Sequence, residues 1–288
     1  MWPAIVSPFL ASYVCQTAPG LCKLCECRQC TFRFFDSRLT DEEVQRLYSG
    51  YRGDQYFKAR HGFEFWYSCA VNDGIGSDET EIAARKRNLA RFLGDRASTI
   101  DTVLDYGGDR GQFIPENVGK NRFVYELSDA KPAPGVTRIN TVAGRSFDFI
   151  MLAHVLEHCS EPSQMIQLLK PLGHANTLFY FEVPFERPSL AWTGSGPLQH
   201  LYLKALLHAP PLLTLADLYS TVARVKFDFV PPFGLQKCSE HLNFFTKPSL
   251  KILLESAGLE LIDSGIAAVE ACGPVSRILY GLARKAPG

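Results

Sequence analysis

The segment that most limits the possible folds of this chain is residues 103–111, with the sequence VLDYGGDRG. It predicts a buried strand that passes through Asp105 and ends in three glycines, Gly107, Gly108 and Gly111. Glycine is needed at such a turn because a Cβ atom would collide with a neighbour or forbid the backbone dihedrals. A strand that ends this way lets the backbone approach a ligand closely before the next helix begins, which is typical of α/β folds.

Strands and helices alternate around this turn. Apolar runs bounded by turn residues predict strands at 100–108, 121–128, 146–154, 176–184, 259–265 and 275–285. Apolar residues at helical spacing predict helices at 77–93, 162–172 and 247–258. The order of these elements predicts an α/β fold with a mostly parallel sheet and helices on both of its faces.

The charges near the turn favour one type of cofactor. Glu126 ends the strand that follows the turn, where an acidic side chain suits the two ribose hydroxyls of an adenosine-containing cofactor. Asp105 and Asp109 place two carboxylates beside the glycines, where they would repel a pyrophosphate. Because they would attract a sulfonium and an ammonium instead, the sequence favours S-adenosylmethionine over NAD as the ligand.

Three segments in the expected order resemble class I S-adenosylmethionine-dependent methyltransferases over roughly residues 85–285. VLDYGGDRG is similar to their glycine-rich first motif, although Asp109 stands where the family has its central glycine. FDFIMLAHVLEH at 147–158 is similar to their fourth-strand motif, and EHLNFFTKPSLKILLESAGLELI at 240–262 resembles sugar and small-molecule methyltransferases. The resemblance implies a Rossmann-like sheet of seven strands, the last of them antiparallel.

Histidines near these motifs are the candidates for a general base, which oxygen and carbon nucleophiles need. The resemblance places His241 in a later active-site loop and His154 just after the fourth strand, so His241 is the first candidate and His154 the second. Glu157 and His158 complete an H-x-x-E-H pattern that formally matches an inverted zinc protease. That chemistry needs a helix and a distant third ligand, whereas here the pattern ends a buried strand, so Glu157 and His158 are expected instead to cap or brace the following helix. Glu182, on a later strand, either faces the substrate or pairs with Arg187.

Four cysteines form two C-x-x-C pairs separated by one residue, at Cys22, Cys25, Cys27 and Cys30. Four thiolates can close the tetrahedral coordination sphere of a structural zinc ion. The segment resembles the zinc-binding N-terminal module of sugar C-methyltransferases, which implies a metal site here. Replacement of one ligand by Cys15, an iron–sulfur cluster and redox-active or unligated thiols remain alternatives.

The predicted organisation is a Cys-rich N-terminal module at 1–75 and a methyltransferase domain at 76–288. A segment at about 187–235 interrupts the alternation, as a substrate lid or an oligomer contact. Within the N-terminal module, Thr40 followed by Glu43 predicts a capping box for a helix that begins near Asp41.

Composition bears on partners and location. Thirty basic residues balance 30 acidic ones, so nothing favours nucleic-acid binding. No apolar run is long enough to predict a membrane-spanning helix. The clustered cysteines favour a reduced, cytoplasmic protein over a secreted disulfide scaffold.

The sequence therefore predicts transfer of a methyl group from S-adenosylmethionine to a small molecule or a sugar, either free or linked to a nucleotide or lipid. The alternatives are a binding protein that keeps the fold without turnover and an NAD-dependent sugar-modifying enzyme. The latter would be favoured by a Y-x-x-x-K pair on a helix, which is not found in the expected place.

Overall fold

The structure is a computed structural model that describes residues 1–186, 189–190, 197–272 and 275–286. Its α-helices are α1 (Asp41–Tyr48), α2 (Asp54–Phe63), α3 (Cys69–Gly74), α4 (Glu79–Leu93), α5 (Pro162–Leu169), α6 (Pro197–Leu207), α7 (Pro210–Phe227) and α8 (Lys247–Ser256). Its strands are β1 (Trp2–Val6), β2 (Leu21–Glu26), β3 (Arg33–Phe35), β4 (Thr102–Tyr106), β5 (Asn121–Tyr125), β6 (Thr137–Arg138), β7 (Phe147–Ala153), β8 (Gly173–Pro184), β9 (Ser189–Leu190), β10 (Phe229–Val230), β11 (Lys237–Cys238), β12 (Asn243–Phe244), β13 (Leu259–Val269) and β14 (Ser276–Lys285).

The chain divides into two compact units, each made of two segments. The first combines Met1–Asp73 with Glu186–Phe244, and the second combines Gly74–Phe185 with Phe245–Gly288. The segment that interrupts the predicted alternation, of which residues 187–188 and 191–196 lie outside the described part, is therefore grouped with the N-terminal region.

The second unit, here called the Rossmann unit, contains a seven-stranded sheet in the order β13-β14-β8-β7-β4-β5-β6. The pairs from β6 through β8 are all parallel, whereas β14 is antiparallel to both of its neighbours. This confirms the predicted α/β fold with a mostly parallel sheet and a last strand that runs against the others.

Side chains on both faces of this sheet are buried, as expected when a parallel sheet is covered by other elements. One apolar cluster joins α4 to the sheet and includes Leu89, Leu93, Phe149, Tyr180 and Leu282. Phe92 of α4 stacks on Tyr280 of β14 with ring centroids 3.6 Å apart. This cluster fixes α4 against the strands that carry the candidate site.

One expected element is missing from the described residues of the Rossmann unit. The sequence predicts a helix directly after the glycine turn, but the 14 residues between β4 and β5 form turns only. Pro115 and Gly119 lie in this connection, and Gly119 adopts a left-handed φ of 69°. Both residues disfavour a continuous helix, so the connection stays short and irregular.

The first unit, here called the N-terminal unit, contains a five-stranded sheet in the order β11-β1-β2-β3-β12. Its two edge strands come from the second chain segment, since β11 pairs with β1 and β12 pairs with β3. Its core is rich in aromatic residues and includes the fully buried Phe9, Phe35 and Tyr56. The Thr40–Glu43 capping box at the start of α1 is present as predicted.

The helices α6 and α7 of the N-terminal unit pack on a second apolar cluster, which contains Ile5, Leu203, Leu206, Leu213 and Leu235. None of the described helices combines the length and the hydropathy that crossing a membrane requires.

Candidate functional site

The glycine turn lies at the carboxyl end of β4, in the middle of the Rossmann sheet. Gly107 follows the strand with a φ of 71°, and its N–H donates to the carbonyl oxygen of Tyr125 on β5 at 2.8 Å. Asp109 also has a left-handed φ, of 55°. The position where the family has a glycine thus keeps a glycine-like backbone here, which aspartate tolerates better than most residues.

Asp105 is buried directly beneath this turn. A Cβ atom on Gly108 would lie 2.0 Å from the Asp105 carboxyl carbon, so only glycine fits above it. Within the described residues, neither carboxyl oxygen of Asp105 has a hydrogen-bond partner, and the residue is fully shielded from solvent. Burial therefore raises the pKa of Asp105 to about 8, although Arg85 opposes the shift. Such a carboxyl is stabilised by any cation that approaches the turn.

Glu126 lies beside the same turn, directly after β5. One carboxylate oxygen accepts the N–H of Asp109 at 2.9 Å, and the other accepts the N–H of Ser128 at 2.9 Å. These bonds fix the carboxylate against the glycine turn. Each oxygen keeps a further lone pair for a ligand hydroxyl, because a carboxylate accepts about four hydrogen bonds.

His154 follows β7, the neighbour of β4 in the sheet, with Asp105 and Met151 in register. A Cβ atom on Gly107 would lie 2.8 Å from a Val155 methyl group, so the His154–Val155 segment packs against the glycine turn. His154 has a φ of 60°, which is uncommon for a residue other than glycine. The structure thus brings the predicted residues Asp105, Gly107 and His154 to one edge of the sheet.

A buried carboxylate lies next to the His154 ring. The Oε1 atom of Glu182 on β8 is 3.4 Å from His154 Nε2, and the Tyr180 hydroxyl donates to Glu182 Oε2 at 2.6 Å. Arg85 of α4 forms an ion pair with Glu182 and stacks 3.6 Å from the centroid of the Phe113 ring.

The charge of Glu182 follows from these contacts. Burial alone would raise its pKa, but Arg85, His154 and Tyr180 together lower it to about 2. Glu182 is therefore an anion at neutral pH, and it holds one side of the His154 ring in a buried electrostatic network. On the other side of the ring, Nδ1 lies 3.8 Å from Glu157 Oε1.

His241 belongs to the N-terminal unit, where its Nδ1 lies 3.3 Å from Glu186 Oε2. The preceding residue, Glu240, is held by hydrogen bonds from Tyr56 and from Arg60, the latter at 2.9 Å. These contacts hold the side chain of the residue that precedes His241. The ring itself is about one-third exposed, which leaves it accessible for proton transfer.

The four predicted zinc ligands do not fit a common metal site. Cys22 and Cys25 lie on β2 three residues apart, so their side chains point to opposite faces of the sheet. Cys22 faces the core, where burial raises the pKa of its thiol to about 12 and opposes the thiolate that zinc requires.

The second C-x-x-C pair forms a turn of its own beyond the strand. There the thiols of Cys27 and Cys30 are hydrogen-bonded to each other, and backbone N–H groups of Cys30 and Gln29 lower the pKa of Cys27. No three cysteine sulfurs among the described residues lie within 4.8 Å of one another. Because the strand geometry separates the thiols, a four-thiolate zinc site is not supported.

Two residues of the site are not identified as such by the sequence. Arg85 is one of several charged residues of α4, and its role depends on contact with a strand 97 positions away. The sequence leaves Glu182 undecided, with Arg187 as a candidate partner, but Arg187 lies outside the described residues. An acidic residue within the apolar run FYFEVP is the available signal, because a charge that far inside a strand needs a buried partner.

Comparisons with known proteins agree with this architecture. A family model described as a methyltransferase domain matches residues 78–264. No protein of curated function gives a significant match.

Solved structures that match this chain include a Burkholderia thailandensis 1,6-didemethyltoxoflavin-N1-methyltransferase with bound 1,6-didemethyltoxoflavin and S-adenosylhomocysteine. It is 16% identical with a TM-score of 0.46, and the match covers 91% of this chain and 97% of that one. An S-adenosylmethionine-dependent methyltransferase from Clostridium acetobutylicum is 11% identical with a TM-score of 0.42, covering 72% of this chain and 92% of that one. Because the family model spans more than half of the sequence, the chain belongs to the family of methyltransferase domains.

Proposed function

We propose that this protein transfers a methyl group from S-adenosylmethionine to a small-molecule or sugar acceptor. The observation that carries the proposal is the buried, unpartnered carboxyl of Asp105 beneath Gly108. A carboxyl in this position costs folding free energy and is stabilised when a cation binds above the turn. The ammonium and sulfonium groups of this donor supply that charge, whereas a pyrophosphate would be repelled.

The residues around the turn fit the donor. Gly107, Gly108 and Gly111 have no room for a Cβ, which would meet Val155, Asp105 and Val136, so the turn stays tight and bare of side chains. Glu126 would accept hydrogen bonds from the two ribose hydroxyls. When bound, the donor supplies an electrophilic methyl group. The protein then has to orient an acceptor in line with that methyl group and exclude water.

His154 is the group that we propose to accept the proton of an oxygen or carbon acceptor. It lies at the same sheet edge as the glycine turn, and Glu182 positions its ring from one side. When the ring takes up a proton, the nearby carboxylates of Glu182 and Glu157 stabilise the imidazolium that forms. His241 remains a second candidate, with Glu186 as its carboxylate partner.

The acceptor class rests on the resemblance of residues 240–262 to sugar and small-molecule methyltransferases. The neutral net charge agrees with an uncharged or weakly charged acceptor better than with nucleic acid.

Isothermal titration calorimetry with S-adenosylmethionine, S-adenosylhomocysteine and NAD tests the cofactor. We expect the two sulfur compounds to bind and NAD not to bind. Glu126→Gln should weaken binding of both sulfur compounds by about tenfold, because the loss of hydrogen bonds to a charged acceptor costs about 1.5 kcal/mol or more. Binding of NAD alone would overturn the proposal.

Transfer of a labelled methyl group to a panel of sugars, phenols and amines tests the activity. Donor binding without any transfer would instead favour the binding protein that keeps this fold without turnover.

Once an acceptor is identified, His154→Asn and His241→Asn distinguish the two bases. We expect a loss of about 10²- to 10⁴-fold in kcat for the true base. An unchanged kcat in His154→Asn would remove His154 as the base.

Glu182→Gln tests the positioning role separately. We expect it to lower kcat and to shift the pH profile, because the neutral amide no longer stabilises the imidazolium. Glu182→Asp keeps the charge and should restore part of the rate. A purely structural role would lower stability without moving the pH profile.

A further inference from the structure

The helix α7 exposes one apolar face to solvent while it buries the other. Leu212, Leu215, Tyr219 and Val222 are 57%, 60%, 50% and 43% exposed. Their spacing of three, four and three residues places them on a single side of the helix. A helix that is apolar on both sides is expected to be covered on both sides.

The helix α6 repeats this pattern. Leu198 and Leu201 are 79% and 62% exposed, whereas Leu203 and Leu206 on the opposite side are buried. Leu203 and Leu206 belong to the same apolar cluster as Leu213 of α7. Because α6 and α7 also contact each other directly, their exposed sides are neighbours on the outer surface of the N-terminal unit.

These residues form a patch, here called the α6–α7 patch, that is large for a monomeric protein. Its members are Leu198, Leu201, Leu212, Leu215, Tyr219 and Val222, and each is at least 43% exposed. With on the order of 100 Å² for each side chain, the patch presents roughly 600 Å², which is within the roughly 600–1,000 Å² that one partner contributes to a stable protein interface. Exposed apolar surface of this size is typical of an interaction site.

We propose that the α6–α7 patch is the interface through which two copies of this chain form a symmetric dimer. The three-and-four spacing is the one by which helices pack against helices, so the patch of one copy can pack against the same patch of the other. The available area meets the requirement of a stable dimer. No other partner needs to be invoked to cover it.

The charges around the patch argue against a lipid surface. Between 197 and 228 the basic residues are Lys204, Arg224 and Lys226, and none lies among the exposed positions from Leu212 to Val222. Asp217, the charged residue within that stretch, is buried and pairs with Lys237 at 2.7 Å. Helices that lie on membranes carry rows of lysine and arginine opposite their apolar face, whereas here that face is the core of the unit.

Sedimentation velocity at micromolar concentration tests the dimer. We expect the unmodified protein to sediment at twice the chain mass, and Leu215→Glu combined with Tyr219→Glu to sediment at the chain mass. Each substitution occurs twice in a symmetric interface, so the dissociation constant should rise by about a hundredfold or more. Leu168→Glu is the matched control, because Leu168 is 53% exposed on α5 of the other unit and should leave the mass unchanged.

Circular dichroism and thermal unfolding separate dissociation from misfolding. If the double variant loses its structure, Leu215→Ala takes its place, with an expected rise of at least about tenfold in the dissociation constant. A monomeric unmodified protein, or a double variant that stays dimeric, would overturn the proposal. The proposal would also be overturned if the unmodified protein floated with phosphatidylglycerol vesicles and the double variant did not. None of these measurements depends on methyl transfer.

Discussion

The glycine turn and the cysteine segment make an instructive pair, because each is identified from a short motif with a characteristic spacing. At the glycine turn the structure brings the predicted residues together, with Asp105 beneath Gly108 and Glu126 bonded to Asp109. In the cysteine segment the predicted ligands are separated, because Cys22 and Cys25 lie on opposite faces of β2. The same kind of sequence signal thus leads to an assembled site in one region and not in the other.

The difference comes from how each spacing meets the period of the local structure. The glycine motif needs only that two neighbouring parallel strands end at the same edge of a sheet, which the register of β4 and β5 provides. The cysteine motif needs two side chains that are three positions apart to lie on the same side of the chain. A turn does this, but a strand with its period of two does not.

The largest effect is expected from breaking the assembled site with Gly108→Ala. The new Cβ would lie 2.0 Å from the Asp105 carboxyl carbon, so the turn must open or the carboxyl must move. We expect a loss of about 3 kcal/mol in the free energy of unfolding and a fall of more than tenfold in donor affinity. Chemical denaturation and calorimetry measure the two quantities.

Gly62→Ala is the control for that variant. Gly62 lies on α2 with no atom within 4 Å of the added Cβ. Alanine there should be neutral or stabilise the helix by up to about 1 kcal/mol. Equal effects of the two substitutions would contradict the tight fit above Asp105.

A pH-dependent effect is expected from Asp105→Asn. In the folded state the pKa of Asp105 is about 8, above the unfolded-state value of ~3.9. Protonated Asp105 therefore contributes its full stabilisation below ~pH 4, and this stabilisation is lost as the pH rises through about 8. The asparagine variant does not suffer this loss. Its free energy of unfolding should therefore exceed that of the unmodified protein by an amount that grows from ~pH 5 to 8.

The same variant should bind S-adenosylmethionine more weakly, so stability and donor affinity change in opposite directions. In the unmodified protein, donor affinity should rise as the pH approaches 8, because binding requires the ionised carboxyl. Denaturation curves and calorimetry over this pH range test both statements. Parallel pH profiles for the two proteins would show that Asp105 is not the titrating group.

In the cysteine segment, Cys22→Ser and Cys25→Ser should differ. Cys22 is buried in the apolar core, so a serine hydroxyl there should cost about 1–2 kcal/mol. Cys25 is half-buried on the other face, and its replacement should change stability by less than about 0.5 kcal/mol. Equal and large losses for both variants, as expected for two ligands of one metal ion, would restore the zinc hypothesis.

The smallest effect is expected from removing metal ions. If the four thiols do not share a zinc ion, treatment with EDTA should leave the thermal midpoint unchanged, and metal analysis should find no stoichiometric zinc. A fall in the midpoint on chelation that added zinc reverses would contradict the separation of the cysteines by β2.

Local signals and strand order are enough to predict the Rossmann sheet and the α1 capping box, both of which the structure confirms. The network around Glu182 could not be predicted, because its partners Arg85 and His154 come from separate elements that meet only in the folded state. The glycine motif also cannot predict that no helix follows the glycine turn. The motif describes the turn itself, whereas Pro115 and Gly119 determine the conformation of the connection to β5.

The strands of the N-terminal sheet come from two distant segments of the chain, and this affects how the chain folds. The edges of β1 and β3 are covered by β11 and β12, so both edges stay open during translation until the ribosome has passed Phe244. Open strand edges pair readily with other chains, and contacts between residues this far apart form slowly. The meander β1-β2-β3 can form early with both of its edges open, so release of a fragment such as residues 1–73 should favour aggregation.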